Sequence, residues 1–180
     1  MNERTYNSAI ARLRSPERTE RLEAPRVAGL CLENNNIKSM LDIGTGSGLF
    51  AEEFSNRNLK VAGVDINPEM LEAAKEFVPD GEFKLAPAEN IPFADKEFDM
   101  AFMGVVFHEV DDFKKSLSEA ARVADKLVAI LEWDYKVQDF GPPLEHRLTK
   151  EFIENLAKET GFSKVEVVPL NHLVLYKLIF

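Results

Sequence analysis

The sequence predicts an α/β fold: a doubly wound, seven-stranded, mostly parallel sheet closed by a C-terminal antiparallel hairpin. Three observations carry this. Short apolar runs alternate with stretches of helical apolar spacing between residues 38 and 162, the pattern of repeated βα units. A glycine-rich turn, LDIGTGSGL at residues 41–49, joins the first apolar run to the first helical stretch behind it. The last two apolar runs, 165–168 and 173–179, are separated by a turn too short for a helical crossover, so they pair antiparallel.

The elements follow in order. Residues 5–36 read as helical with a break at Ser15-Pro16, where serine caps and proline takes the first helical position. Asn34, Asn35 and Asn36 end that stretch as a turn. Residues 38–43 are the first strand and 47–57 the first helix after the glycine turn, with Leu49, Phe50 and Phe54 on its apolar face. A second strand at 61–65 ends in Asp65, and Asn67-Pro68-Glu69 opens the next helix as cap, first position and first-turn acid. Residues 82–85 are a third strand, and 86–93 a loop punctuated by Pro87 and Pro92. The near-continuous apolar run at 98–106 suits a central parallel strand buried on both faces. It runs into His108 and Glu109. Asp111 or Asp112 caps a helix to about Val123, 127–133 is the fifth strand, and Thr149 caps a helix that ends before Gly161, with Leu148 and Ile153 placed as a hydrophobic staple.

Composition narrows the function classes. A chain of 180 residues with 45% hydrophobic and 29% charged residues forms one domain with a real core. Its net charge of -9 opposes non-specific attraction to nucleic acid or to an anionic membrane surface. The arginines at 12, 14, 18, 21 and 26 interleave with Glu17, Glu20 and Glu23, as on a solvated helical face. A single cysteine, Cys31, rules out an internal disulfide, and the irregular spacing of His108, His146 and His172 argues against a metal site. No run has the length of a membrane span and the first residues lack a signal-peptide core, so the expected location is cytoplasmic.

The glycine turn is where the chemistry starts. Glycine is needed where the backbone takes positive φ or lets a ligand lie against it, and the helix behind the turn offers free N–H groups. The spacing is GxGxG, with Leu49 at the place where a nicotinamide or flavin fingerprint has its third glycine, and no Gly-Lys-Ser/Thr of a phosphate-binding loop follows. Asp65, at the tip of the second strand, is placed to accept from the hydroxyls of a ribose. A ribose-bearing ligand is implied.

LDIGTGSG, VAGVDINPEML, APAENIPF and FDMAFMGVVFHEV stand in the order and spacing of class I S-adenosylmethionine-dependent methyltransferases, and most resemble the branch that includes the ubiquinone and menaquinone C-methyltransferases. The resemblance covers residues 38–133 and, more loosely, the segment from His146 to the final hairpin. It implies a Rossmann-like domain over 37–180 with residues 1–36 as a helical lid, and S-adenosylmethionine as cofactor. It also implies that Asp42 and the turn at Gly44, Thr45, Gly46 and Gly48 hold the methionine portion, with the Met103 carbonyl meeting its amine. Asp65 would take the ribose, Ile66 the adenine face, and Ala88 the adenine ring through its N–H. Where this family commonly has an aspartate for the adenine amino group the chain has Pro87, which leaves Glu89 or water for that contact. A shortened segment at 123–127 replaces the family's usual Pro-Gly-Gly turn.

The activated sulfonium methyl needs alignment with a nucleophile, exclusion of water and sometimes a base. His108 is the candidate base, and Trp133, Asp134, Tyr135, His146 and Arg147 are candidates for the acceptor site, each with an alternative reading as surface or hinge. The expected function is methyl transfer to a small-molecule acceptor. The alternative is a methyltransferase-fold protein that binds the cofactor without transfer or needs a partner subunit.

Overall fold

The computed structural model describes residues 10–180. Its sheet has seven strands in the order β3-β2-β1-β4-β5-β7-β6: β1 Ser39–Ile43, β2 Lys60–Asp65, β3 Glu82–Leu85, β4 Phe98–Gly104, β5 Ala124–Trp133, β6 Lys164–Pro169 and β7 Leu173–Ile179. The first five run parallel. β7 then pairs antiparallel with both β5 and β6, from Leu127↔Ile179 to Trp133↔Leu173 on the β5 side. The hairpin therefore inserts its second strand next to β5 and leaves its first at the edge.

Among the described residues six complete α-helices flank the sheet: α1 Pro16–Leu22, α2 Ala24–Leu32, α3 Leu49–Ser55, α4 Pro68–Phe77, α5 Phe113–Val123 and α6 Lys150–Thr160. The alternation of side chains along the strands divides the core in two. One face places Leu41, Ile43, Ala101, Met103, Val128 and Ile130 under α5 and α6. The other places Met40, Val61, Met100, Phe102, Ala129 and Leu131 under α1 to α3, where Phe50 and Phe54 tilt against Phe102 at 4.8 and 5.4 Å between ring centres. Cys31 is fully buried in the second cluster and burial pushes its thiol up to about 12, so it behaves as a small hydrophobe.

The caps read from the sequence are in place. Ser15 Oγ accepts from Arg18 N–H, Asn67 Oδ1 from Glu69 N–H, Asp112 Oδ1 from Lys115 N–H and Thr149 Oγ1 from Phe152 N–H. Besides shifts of one or two residues at other strand and helix ends, four boundaries differ from the expected ones. The N-terminal helical stretch, whose residues 5–9 lie outside the described residues, breaks a second time at Glu23 (φ 51°), because Pro25 sits in the first turn of α2 and cannot continue α1. Helix α3 starts at Leu49, two residues later than expected, because Gly48 (φ 77°) is still part of the turn. Strand β4 ends at Gly104, before Val106, because Val105 takes φ 52° while its N–H donates to Leu131 O at 2.8 Å. Strand β5 begins at Ala124, straight out of α5, because Ala124 already pairs with Phe98 across a register shift in β4.

Candidate functional site

Sheet order reverses between β1 and β4, and a crevice opens at their C-terminal ends. Two adjoining cavities, of about 290 and 180 Å³, fill it and share Gly44, Asp65, Val106 and Glu109. The larger is lined by Asp42, Thr45, Gly46, Met70, Gly104 and Val105, with Arg18 and Leu22 reaching in from α1. Ile66, Pro87, Ala88, Glu89 and Val110 line the smaller.

The glycine turn builds the floor. Gly44 and Thr45 donate their N–H groups to Val64 O at 2.8 and 3.0 Å, which locks the turn against β2. Gly44 has φ 69°, and a Cβ there would lie 2.4 Å from Val106 Cγ2, so only glycine lets β1 and the end of β4 come this close. At Gly48 a Cβ would stand 3.0 Å from the Ala74 backbone, so the early third glycine serves α3–α4 packing.

Two carboxylates enter from the strand ends. Asp42, 2% exposed, accepts from Thr45 Oγ1 at 2.8 Å. Burial, helped by the nearby Asp65 charge and partly offset by the Thr45 hydroxyl, pushes its pKa up to about 7. Asp65 accepts from Gly46 N–H at 2.8 Å through Oδ2 and from Asn67 N–H at 2.9 Å through Oδ1. A carboxylate offers about four acceptor positions, so the pinned side chain still has capacity for ligand hydroxyls.

The other predicted residues fall in three groups. Ile66, 75% exposed, lies beside Ala88 and Glu89 on the second cavity. Glu89 Oε1 already accepts from the N–H groups of Asp111 and Asp112 at 3.0 and 3.2 Å, tying the loop after β3 to the start of α5. Desolvation works to raise its pKa, but these bonds, with its own backbone N–H and the Ser116 hydroxyl, hold it below the ordinary carboxylate range. Arg122 and Glu119 of α5 pin the same loop through Ile91 and Phe93. The Met103 side chain is fully buried in the core; the residue after it, Gly104, lines the cavity.

His108 does not line either cavity. Its ring turns back to Glu132 on β5, with Nδ1 at 2.9–3.0 Å from both carboxylate oxygens. A carboxylate only accepts, so Nδ1 carries the proton. Glu132, 1% exposed, also accepts from the backbone N–H of His108 at 3.1 Å and of Trp133 at 3.2 Å. Burial works against charging the imidazole, but the hydrogen bond and charge of Glu132, with Glu109 adding, hold its pKa above the usual value. The free nitrogen, Nε2, lies 3.6 Å from Glu109 Oε1, and it is Glu109 that borders both cavities.

Trp133, Asp134, Tyr135, His146 and Arg147 lie outside the cleft lining. Arg147, 5% exposed, donates to the carbonyls of Asp134, Lys136, Phe140 and Pro142 at 2.7–3.0 Å, closing the 134–147 loop on itself. Sequence reasoning missed Arg18, Met70, Val105 and Val106 as cleft residues. Arg18 was hidden among interleaved charges, and the two valines inside an apolar run that looked like uninterrupted strand.

Among proteins of known sequence or structure, residues 41–127 match the methyltransferase domain family. Demethylmenaquinone methyltransferase of Thermotoga maritima is 37% identical over 100 residues, covering 54% of this chain and 43% of that protein. An uncharacterised protein of Methanocaldococcus jannaschii is 31% identical over 140 residues, covering 70% and 65%. The crystal structure of an S-adenosylmethionine-dependent methyltransferase from Aquifex aeolicus superposes with a TM-score of 0.83 at 27% identity, covering 96% of this chain and 98% of that one. The match spans under half the length of the Thermotoga relative.

Fold and cleft are those of the class I S-adenosylmethionine-dependent methyltransferases, and residues 41–127 match that domain family. The same segment is similar to demethylmenaquinone methyltransferases and to ubiquinone/menaquinone biosynthesis C-methyltransferases. S-adenosylmethionine is the cofactor of the class, and the residues present fit it: a glycine turn on the cavity floor, a carboxylate at the tip of β2 with spare acceptor capacity, and a buried acid facing the larger cavity.

Proposed function

We propose that the protein transfers the methyl group of S-adenosylmethionine to a small-molecule acceptor that enters between α1 and the segment 105–111. The observation that carries this is the continuity of the two cavities across Gly44, Asp65, Val106 and Glu109. One cleft then takes both ends of a long nucleoside ligand and opens beside Glu109. Asp42 and the turn at Gly44, Thr45, Gly46 and Gly48 would hold the amino-acid portion, Asp65 the ribose, and Ile66, Ala88 and Glu89 the base. The cofactor supplies an activated methyl group. The chain contributes position and a dry wall, with Leu13, Leu22, Met70 and Val106 on the cavity surface.

Where the acceptor must lose a proton, Glu109 would take it at the cavity, with His108 behind it. His108 keeps Nε2 free and Glu109 stands at the cavity. The names of the menaquinone and ubiquinone relatives favour a quinone-like or other partly aromatic acceptor. In this reading residues 1–36 act as a lid, and the part of them from Leu13 to Leu22 contributes cleft-lining side chains. Incubating the purified chain with methyl-labelled cofactor and a metabolite panel tests the proposal. A single labelled product supports it, and cofactor consumption no faster than without protein across the panel counts against it.

One observation favours a second reading, a cofactor-binding protein that does not transfer alone or needs a partner subunit. Pro87 offers no side-chain acceptor on the smaller cavity and Glu89 Oε1 is engaged by backbone. That reading requires S-adenosylhomocysteine binding with no labelled product until a cell extract is added.

A further inference from the structure

Asp42, Asp65, Glu109 and Arg18 line the larger cavity, and among the described residues Arg18 forms no ion pair with any of the three carboxylates. Asp42 enters from the end of β1 and Arg18 from α1. Among the described residues the one side-chain hydrogen bond to Asp42 comes from Thr45. Among the described residues the half-buried Arg18 guanidinium has no hydrogen-bond or ion-pair partner; the bond that Ser15 receives comes from the Arg18 backbone. Its neighbours are engaged elsewhere. Arg14 donates to Ser47 O at 2.9 Å, pairs with Glu52 and lies 3.5 Å over the Phe77 ring, and Arg21 lies 4.1 Å over Phe140. Glu109 shares the cavity and acts on Arg18 through space only.

Withdrawing a charge from water without a partner is costly, so a cavity that keeps an unpaired guanidinium opposite a buried acid is built around what it binds. Burial and the charges of Arg12 and Arg21 already hold the Arg18 pKa below its usual value, so an anion arriving there relieves both costs. The complement of an acid and a guanidinium facing one cavity is a zwitterion: an ammonium for Asp42 and a carboxylate for Arg18, the second capable of bidentate pairing. We propose that Arg18 receives the carboxylate of the cofactor's amino-acid portion, making α1 part of the cofactor site. The inference rests on S-adenosylmethionine being the ligand of this cleft.

The test is calorimetric and needs no acceptor. Wild type, Arg18→Met and Arg18→Lys are titrated with S-adenosylhomocysteine and with its decarboxylated analogue, after circular dichroism confirms that all three fold. Wild type is expected to bind S-adenosylhomocysteine roughly 10- to 100-fold tighter than the analogue. Arg18→Met should lose about that factor for S-adenosylhomocysteine, bind the two ligands equally, and leave the analogue's affinity near the wild-type value. Arg18→Lys should recover part of the difference. Arg18→Met that still discriminates the two ligands, or keeps S-adenosylhomocysteine affinity within about twofold, overturns the inference while leaving the cofactor assignment intact. Wild type that binds neither ligand removes the cofactor assignment itself, and the inference with it.

Discussion

Asp42 is the residue on which the electrostatics of the cleft turn. Its carboxyl, raised to about 7 by burial, binds more protons in the folded chain than in the unfolded one across the window between its ordinary value and 7. Stability therefore falls as pH rises from about 4 to about 7. Asp42→Asn keeps an acceptor for Thr45 and removes the charge. It should match wild type near pH 4 and exceed it at pH 8 by roughly 2 kcal/mol or more in urea unfolding; a pH-independent gap would show that Asp42 is ionised throughout. Asp65 works differently, because both its oxygens are already anchored. Asp65→Ala should weaken S-adenosylhomocysteine binding by roughly 10- to 100-fold, the worth of a charge-assisted hydrogen bond or slightly more. Gly44→Ala should do worse on both counts, since its Cβ would collide with Val106. A melting temperature within a degree of wild type would contradict the close approach of β1 and β4.

At the scale of elements, two buried charged groups hold loops rather than ligands. Arg147 satisfies four carbonyls of the 134–147 segment, and Arg147→Met should cost about 2 kcal/mol or more and expose that segment to proteolysis. Because the loop does not line the cleft, S-adenosylhomocysteine affinity should stay within about twofold of wild type; a large affinity loss would put the loop back at the site. The Glu132–His108 pair ties the end of β4 to β5. Glu132→Ala leaves three donors unpaired, the His108 Nδ1–H and the backbone N–H groups of His108 and Trp133, and about 3 kcal/mol is expected for breaking a buried pair from one side. The sign of its pH dependence follows from the raised His108 pKa. The stabilisation is complete below the unfolded histidine value and is lost as pH rises through the folded one. The gap between wild type and Glu132→Ala should therefore shrink from pH 6 toward pH 9, and a gap that widens would mean the imidazole is neutral in the fold.

For the whole molecule, cleft and core are coupled because the ligand would bridge strand ends from both sides of the switch point. Saturation should consequently stabilise the domain as a unit. With S-adenosylhomocysteine at about 100 times its Kd the gain is roughly 2.7 kcal/mol, equivalent to about 5–10 °C in melting temperature for a chain of this size. Two melting transitions, only one of them ligand-dependent, would separate α1 and α2 from the sheet. The fully buried Leu22, Val27 and Cys31, packed in the same cluster as Met40 and Phe102, argue for one transition.

The local signals in the chain are those set by a few adjacent residues. Short apolar runs and period-3.6 stretches marked the seven strands and the helices, capping side chains marked the helix starts at Pro16, Pro68, Phe113 and Lys150, and GxGxG followed by Asp65 marked the cleft. The tertiary structure decided what depends on residues far apart in sequence. The insertion of β7 beside β5 is one such case, since two adjacent strands do not say which of them continues a sheet. The end of β4 at Gly104 is another, because the Val105 backbone turns to meet Leu131, 26 positions on. The orientation of His108 is a third. From the sequence it stands at a strand end where a base belongs, but the buried Glu132 on the neighbouring strand, 24 positions away, captures its ring and leaves Glu109 to face the cavity. Arg18 shows the same limit from the other side. Its interleaved charges read as solvated surface, and only the packing of α1 over the strand ends turns one of them into the cleft. A side chain's neighbours along the chain fix its element, while its partner is fixed by whatever the fold brings within hydrogen-bonding distance.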